Sequence, residues 1–169
     1  MTALMQKTED TGLEEATRFL GSYLEMLAVV ERLHRLLLDV VKDEFERLGI
    51  LEINAVQALL LFNIGENEVT AGELKSRGYY QGSNVSYNLK KLVEAGYMHH
   101  EKCAVDRRAV RVRLTAEGRE VRKTVAELFA RHAHKLFHNP GFDDVTLPDT
   151  NETLRVIERF WADQIRFIY

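Results

Sequence analysis

The sequence predicts a mainly α-helical protein that carries one small β-hairpin near its middle. Three observations support this fold class. Apolar residues recur at helical spacing over long stretches, and the whole chain has only two prolines. Residues 97–114 contain two short runs that alternate as strands do. The 169 residues are 46% hydrophobic, which is enough for one core with long helical additions.

The first element is a long amphipathic helix over residues 11–49. Thr11 and Glu14 have the spacing of a capping box, so residues 1–10 are expected to precede the helix as a flexible N-terminus. Gly49 offers a left-handed stop at the other end. A helix of about 36 residues extends roughly 54 Å, and a small domain cannot cover that length alone. The sequence therefore predicts a dimerisation helix.

The middle of the chain, residues 50–118, contains shorter elements. Asn54 begins a capped helix with the apolar run AVQALLLFNI, which predicts a core position. A very short helix is expected over residues 70–78. Another follows over residues 83–95, and Gly96 stops it.

Two strands come next, over residues 97–102 and 109–114, joined by a basic hairpin loop. The second strand alternates cleanly, with Val112 facing inward between the outward Arg111 and Arg113. We call this hairpin the wing.

The sequence predicts two helices in the C-terminal part of the chain, residues 115–169, with a break between them at Pro140-Gly141. Asp149 and Glu152 have capping-box spacing, and the last sixteen residues are rich in apolar and aromatic side chains. Such surface is rarely left in water. A second copy of the chain, arranged with two-fold symmetry, is the simplest cover for both sets of long helices.

Charge is unevenly distributed along the chain. Residues 70–123 hold twelve Lys/Arg and six Asp/Glu, although the net charge of the protein is −3. A positive segment in an acidic molecule directs a polyanion to one face. No apolar run approaches the roughly 20 residues of a membrane span. The first residues show no secretory signal, and one cysteine suits a reducing compartment, so a cytoplasmic protein is expected.

The helix over residues 83–95 has a polar face that suits contacts to phosphates and base edges. Its members are Ser83, Asn84, Ser86, Tyr87, Asn88, Lys90 and Lys91. A short helix, a turn, this helix and a hairpin are the order of parts in a winged helix-turn-helix. We therefore expect double-stranded DNA as a partner and call this helix the recognition helix. An ordinary solvated helix face would have a similar composition.

The wing carries the second set of candidate DNA contacts. Arg107 and Arg108 at its tip are able to enter a minor groove, and Asp106 is able to orient one of them. Arg111 and Arg113, on the outer strand face, are candidate neighbours of phosphates. The alternative is that these arginines are ordinary surface charges that do not contact DNA.

These residues resemble the MarR-type winged helix-turn-helix regulators of bacteria. The resemblance covers residues 50–135 and rests on Asp106-Arg107-Arg108, on the strand-to-helix junction VRLTAEG (112–118) and on NVSYNLKKLVEAGY (84–97). It implies a homodimer, a pseudo-palindromic operator and release by a small-molecule effector. The turn GYYQGSN departs from the usual family turn and is similar to an alphaproteobacterial branch linked to cell-wall transpeptidase control.

Other functions have weaker support in the sequence. The residues expected to line an effector pocket are Tyr23, Leu51, Ile53 and Phe62, which are equally able to be core residues. Cys103 lies near cationic residues and is a candidate redox site. The histidines form no complete metal set, and neither a cofactor nor a catalytic constellation is expected. The alternative to a DNA-binding regulator is a winged-helix module for protein–protein assembly.

Overall fold

The computed structural model describes residues 2–65, 69–70, 83–102, 110–140, 142 and 146–168. Helices account for most of these residues, as the sequence predicts, and three short strands form one antiparallel sheet that includes the predicted hairpin. The elements are α1 (Thr2–Arg47), α2 (Ala55–Ile64), β1 (Val69–Thr70), α3 (Ser83–Glu94), β2 (Met98–Lys102), β3 (Val110–Leu114), α4 (Ala116–Phe137) and α5 (Thr146–Ile168). Within the described part of the chain, no helix is both long and apolar enough to cross a membrane.

The start of α1 differs from the prediction. The helix begins at Thr2, so the proposed cap at Thr11 lies inside it and the predicted helix start is wrong. Residues 2–10 are mostly good helix formers and include no proline or glycine, so nothing local stops the helix at Thr11. The flexibility of residues 1–10 stays a prediction.

Glycine ends two of the helices in the way the sequence predicts. Gly49 after α1 and Gly96 after α3 have φ values of 73° and 83°, in the left-handed region. The next backbone N–H reaches back into the helix in both cases, from Ile50 to the Phe45 carbonyl and from Tyr97 to the Leu92 carbonyl, each at 2.9 Å. This pattern of hydrogen bonds is a Schellman motif. It fixes the direction in which the chain leaves the recognition helix.

The core of the first compact unit, Met1–Val125, lies around α2. Asn54 Oδ1 accepts from the Gln57 N–H at 2.9 Å, and Gln57 Oε1 accepts from the Asn54 N–H at 3.0 Å, so the predicted capping box is present. Apolar side chains from the end of α1, from α2, from the sheet, from α3 and from α4 are buried there. Its members include Val41, Phe45, Leu60, Leu61, Ile64, Val69, Leu92, Met98, Val112 and Val125.

The sheet has the order β1-β3-β2, with antiparallel pairing throughout. The hairpin joins the two predicted strands, with Met98 opposite Leu114 and Lys102 opposite Val110. β1 was not predicted: Val69 pairs with Val112, and Thr70 pairs with Arg111. Two residues are too few to show the alternation typical of a strand. β1 is a strand only because it pairs with β3, which is far from it in the sequence. The short helix predicted over residues 70–78 lies largely outside the described residues.

The junction between β3 and α4 explains the LTAEG motif. Thr115 Oγ1 accepts from the Gly118 N–H at 3.1 Å, which caps α4, and donates to the Gly96 carbonyl at 2.8 Å. The Thr115 N–H donates to the Tyr97 carbonyl at 3.1 Å. A Cβ on Gly118 would overlap the Tyr97 carbonyl oxygen, so only glycine fits without a shift. The junction thus ties α4 directly to the end of the recognition helix.

The second compact unit, Ala126–Tyr169, contains the end of α4 and all of α5. α4 is the first of the two predicted C-terminal helices, and it ends at Phe137, before the predicted break at Pro140-Gly141. α5 begins at Thr146, so Asp149 lies in its first turn and is not the cap, and that prediction is wrong. Proline is tolerated near a helix N-terminus, which allows Pro148 in the same turn. The predicted functional division into 1–10, 11–49, 50–118 and 115–169 stays a prediction.

Candidate nucleic-acid interface

The recognition helix α3 separates its polar and apolar residues into two faces. Leu89 and Leu92 are buried against the core, and Val93 is half-buried. Four of the predicted DNA-facing side chains are exposed: Ser86, Tyr87, Lys90 and Lys91. Tyr87 stands out, because 61% of this large side chain is in solvent. The exposed face therefore offers hydroxyl donors and acceptors and two cations.

Asn88 does not belong to that face. Its side chain is only 9% exposed, so its placement among the outward residues is wrong. The reason is geometric, since Asn88 lies four positions before Leu92, on the same side of the helix. It also takes part in interactions inside the protein. Helical spacing alone indicates the burial of Asn88, but the prediction gave more weight to the polar character of its side chain.

Lys90 and Lys91 share one carboxylate. Lys91 Nζ lies 3.3 Å from Glu94 Oε2, a hydrogen-bond distance, whereas Lys90 Nζ lies 3.7 Å from Glu94 Oε1. All three side chains are largely exposed, so each pair contributes little to stability. The carboxylate removes part of the positive potential at this end of the helix. Glu94 was not singled out from the sequence, although its i, i+4 spacing from Lys90 was visible.

The outer face of β3 carries the described part of the wing cations. Arg111 and Arg113 are exposed and alternate with the buried Val112 and Leu114, as predicted. Arg113 Nη2 lies 3.3 Å from Glu101 Oε1 on the neighbouring strand β2. Since His99 is directly opposite Arg113 in the register, this ion pair is a diagonal one.

The electrostatics at the start of α4 favour a charged carboxylate. The Glu117 backbone N–H, followed by the Thr115 hydroxyl, holds the pKa of the Glu117 carboxyl below its ordinary value. Arg119 and His99 act in the same direction. The opposite shift occurs at Tyr97, where burial first, and then the charges of Glu52 and Glu117, raise the pKa of the phenol.

Several predicted site residues lie outside the described residues. They are the wing-tip residues Cys103, Asp106, Arg107 and Arg108, together with the side chains of Ser83 and Asn84. The predictions made for them stand as predictions.

A cavity of about 350 Å³ lies where α1 meets the start of α2. Leu51 and Ile53, two of the four predicted effector-pocket residues, line it. Tyr23 and Phe62 are not among its described lining residues, and Tyr23 instead stacks on Phe19 with 6.5 Å between ring centroids. The residues that sequence reasoning missed come from α1 and include Leu38, Lys42, Phe45 and Glu46.

The histidines of α4 form a pair. The rings of His134 and His138 lie edge to face with centroids 4.5 Å apart, which agrees with their i, i+4 spacing. Within the described part of the chain, no cluster of three or more metal-ligating side chains occurs.

These observations describe a polar recognition helix beside a small antiparallel sheet whose outer face is cationic. A winged helix DNA-binding domain profile matches residues 53–118. The exopolysaccharide II synthesis transcriptional activator ExpG of Rhizobium meliloti is 33% identical over 148 residues, which cover 88% of this chain and 76% of that protein.

Solved structures agree on the fold. A MarR transcriptional regulator from Methanosarcina mazei Go1 matches with a TM-score of 0.66 at 19% identity, covering 82% of this chain and 96% of that one. Streptococcus pneumoniae FabT in complex with DNA matches with a TM-score of 0.65 at 17% identity, covering 84% and 99%. The chain belongs to the MarR-type family of winged helix-turn-helix transcriptional regulators, which are not enzymes.

Proposed function

We propose that this protein is a homodimeric, sequence-specific DNA-binding regulator whose operator affinity responds to a small-molecule effector. The exposed polar face of α3 is the observation that carries the proposal. It presents Ser86, Tyr87, Lys90 and Lys91 to solvent in the same compact unit as the outward arginines of β3. FabT, a relative in fold, is known in complex with DNA, and ExpG is a transcriptional activator.

Exposed apolar side chains on the long helices support the homodimer. On α1 they include Phe19, Leu20, Leu24, Leu33 and Leu36, and on α5 they include Leu154, Phe160, Trp161 and Ile165. Large apolar surface of this kind marks a protein interface. A second copy of the chain with two-fold symmetry would match the symmetry of a pseudo-palindromic operator.

The cavity between α1 and α2 supports the effector part of the proposal. Its volume is in the range of small-molecule sites, and Leu51, Ile53 and Phe45 give it an apolar wall. Lys42 and Asp39 add polar groups at its edge. A ligand bound there would contact α1 and α2 together.

Salt-dependent duplex binding tests the proposal. In anisotropy titrations, the logarithm of the binding constant should fall linearly with the logarithm of salt concentration, because phosphate contacts release counterions. Arg111→Ala and Arg113→Ala should each lower the slope by about one. Arg159→Ala on α5, an exposed arginine in the other compact unit, is the matched control and should leave the slope unchanged.

The alternative is a winged-helix module that binds another protein. It predicts no duplex affinity, or an affinity that does not respond to salt or to the two strand arginines. Either result would remove DNA binding from the proposal and leave the fold unaffected.

A further inference from the structure

Two exposed histidines, His134 and His138, lie at the end of α4. The His138 N–H donates to the His134 carbonyl at 3.3 Å, so the chain keeps its helical course one residue beyond the end of α4 at Phe137. Residues four apart on a helix share one face. Both histidines belong to the second compact unit, and neither is in the predicted DNA-facing set.

The two imidazole rings are close enough to bind one ion. Their centroids are 4.5 Å apart and their planes are inclined at 63°. Rotation of an imidazole about its Cβ–Cγ bond turns the ring nitrogens but hardly moves the ring centre. A nitrogen of each ring is therefore able to face a common point at the observed ring spacing. The His138 ring also contacts Phe137 edge to face, at 5.1 Å between centroids, which limits its positions.

The ring spacing indicates the class of ion. With a metal–nitrogen distance of about 2.0 Å, two imidazoles at about 90° have ring centres roughly 4.5 Å apart, whereas a tetrahedral angle separates the centres by roughly 5 Å. Square-planar and octahedral ions accept ligands at 90°, and Zn²⁺ prefers the tetrahedral angle. The observed 4.5 Å therefore suits Ni²⁺ or Cu²⁺. Among the described residues no third ligating side chain joins the pair, so water fills the other positions.

We propose that His134 and His138 together bind one divalent transition-metal ion of the Ni²⁺ and Cu²⁺ class. The ion joins two side chains that are one helical turn apart. Because a ligand that binds only the folded state stabilises it, the bound ion opposes fraying at this end of α4. The site does not depend on the proposed DNA-binding function, since the two are in different compact units.

A calorimetric titration of the untagged, full-length protein with Ni²⁺ tests the proposal. Ni²⁺ is the probe because, unlike Cu²⁺, it does not oxidise thiols, and the chain has one cysteine. One Ni²⁺ should bind per chain. His134→Gln and His138→Gln should each weaken binding at least roughly tenfold, a loss that is usual even for changes behind a metal ligand. One Ni²⁺ for every two chains, or native affinity in either variant, would overturn the proposal.

His132→Gln is the matched control. His132 is on the same helix, two positions before His134, so its side chain leaves the helix on nearly the opposite side. The control removes the same kind of side chain and should keep the native affinity for Ni²⁺. If it loses as much affinity as the other two variants, binding is not specific to the His134 and His138 pair and the proposal fails.

Nuclear magnetic resonance locates the bound ion. Paramagnetic Ni²⁺ at low occupancy should broaden the ring-proton resonances of His134 and His138 before those of His99 and His100 on β2. Broadening that begins on β2 would refute the site. In a parallel titration Zn²⁺ should bind less tightly than Ni²⁺, and the reverse order would contradict the assigned class of ion.

Thermal melts test the effect on the helix end. Saturating Ni²⁺ should raise the melting temperature of the native protein and of His132→Gln, but not that of His138→Gln. An equal rise in all three proteins would contradict stabilisation through this pair of histidines.

Discussion

At the scale of single residues, the start of α4 connects the wing to the end of the recognition helix. Thr115 hydrogen bonds to both Gly96 and Gly118, and Gly118 leaves room for the Tyr97 carbonyl. A change at any of these positions acts on the wing and on the recognition helix together. The LTAEG motif is visible in the sequence. Its physical reason is the contact of Thr115 and Gly118 with Gly96 and Tyr97, which residue spacing alone does not reveal.

Gly118→Ala should destabilise the protein by about 1–3 kcal/mol, the usual cost of overpacking, because the added methyl group overlaps backbone that cannot move freely. Chemical denaturation measures the free energy of unfolding. Gly21→Ala is the matched control, since a Cβ there meets nothing within 4 Å in a helix interior. That change should be neutral or stabilise by about 0.5–1 kcal/mol. Equal stability of both variants would refute the close approach at Gly118.

Glu117 gives the junction a pH dependence. Because the folded state lowers the pKa of this carboxyl, its contribution is present above the ordinary pKa and is lost as the pH falls through the folded value. Glu117→Gln should therefore lower the melting temperature at neutral pH, and the difference from the native protein should shrink in acid.

Thermal melts over a pH series check this behaviour, with Glu120→Gln as the control one turn further from the helix N-terminus. Helix-end interactions fade within a turn, so the control should show a smaller neutral-pH loss. A Glu117→Gln deficit that stays constant from neutral to acidic pH would contradict the assignment.

At the scale of elements, local chemistry made the start of α2 and the ends of α1 and α3 predictable. Asn54, Gly49 and Gly96 act within a few residues of chain, and each behaves as its pattern indicated. The start of α1 was misjudged because a capping box has no power to stop a helix that has good formers before it. β1 was missed because its two residues are strand only through pairing with β3.

The candidate site was predictable only where local helical or strand spacing determines which side chains are exposed. Helical spacing correctly predicted the exposure of Ser86, Tyr87, Lys90 and Lys91. Asn88 is buried because of the same spacing, but the prediction relied on its polar side chain and placed it outside. Ion-pair partners such as Glu101 depend on strand register, which is fixed by tertiary pairing.

The ion pair between β2 and β3 makes a prediction about affinity. Glu101→Gln should release Arg113 for a phosphate, tighten duplex binding and steepen the salt slope by up to about one. Anisotropy titrations over a salt series measure both quantities. Glu158→Gln, an exposed carboxylate on α5, controls for net charge. If the two variants tighten binding equally, the ion pair with Arg113 has no specific role.

At the scale of the whole molecule, two features stand out. The long helices expose apolar side chains that an interface would bury, and charge is unevenly distributed along the chain. The net charge is −3 although residues 70–123 are basic, so the rest of the chain has an excess of acidic residues. Those acidic residues disfavour contact between the other surfaces and a polyanion. A homodimer would cover the apolar faces and pair two recognition helices.

Leu24→Glu should weaken the homodimer at least roughly tenfold, since a charge would be buried in an apolar interface. Ser22→Glu introduces the same side chain on nearly the opposite side of α1 and should have little effect. Sedimentation equilibrium gives both dissociation constants. A Leu24→Glu protein that dimerises as tightly as the Ser22→Glu protein would exclude this face of α1 from the interface.

Selection of binding sites from a random duplex pool tests the central claim most directly, using the native protein beside Tyr87→Ala. We expect an inverted repeat whose half-sites are about one helical turn apart, with base preferences that weaken in the variant. Enrichment of no sequence, or of a site that Tyr87→Ala selects equally well, would contradict sequence reading by the exposed face of α3.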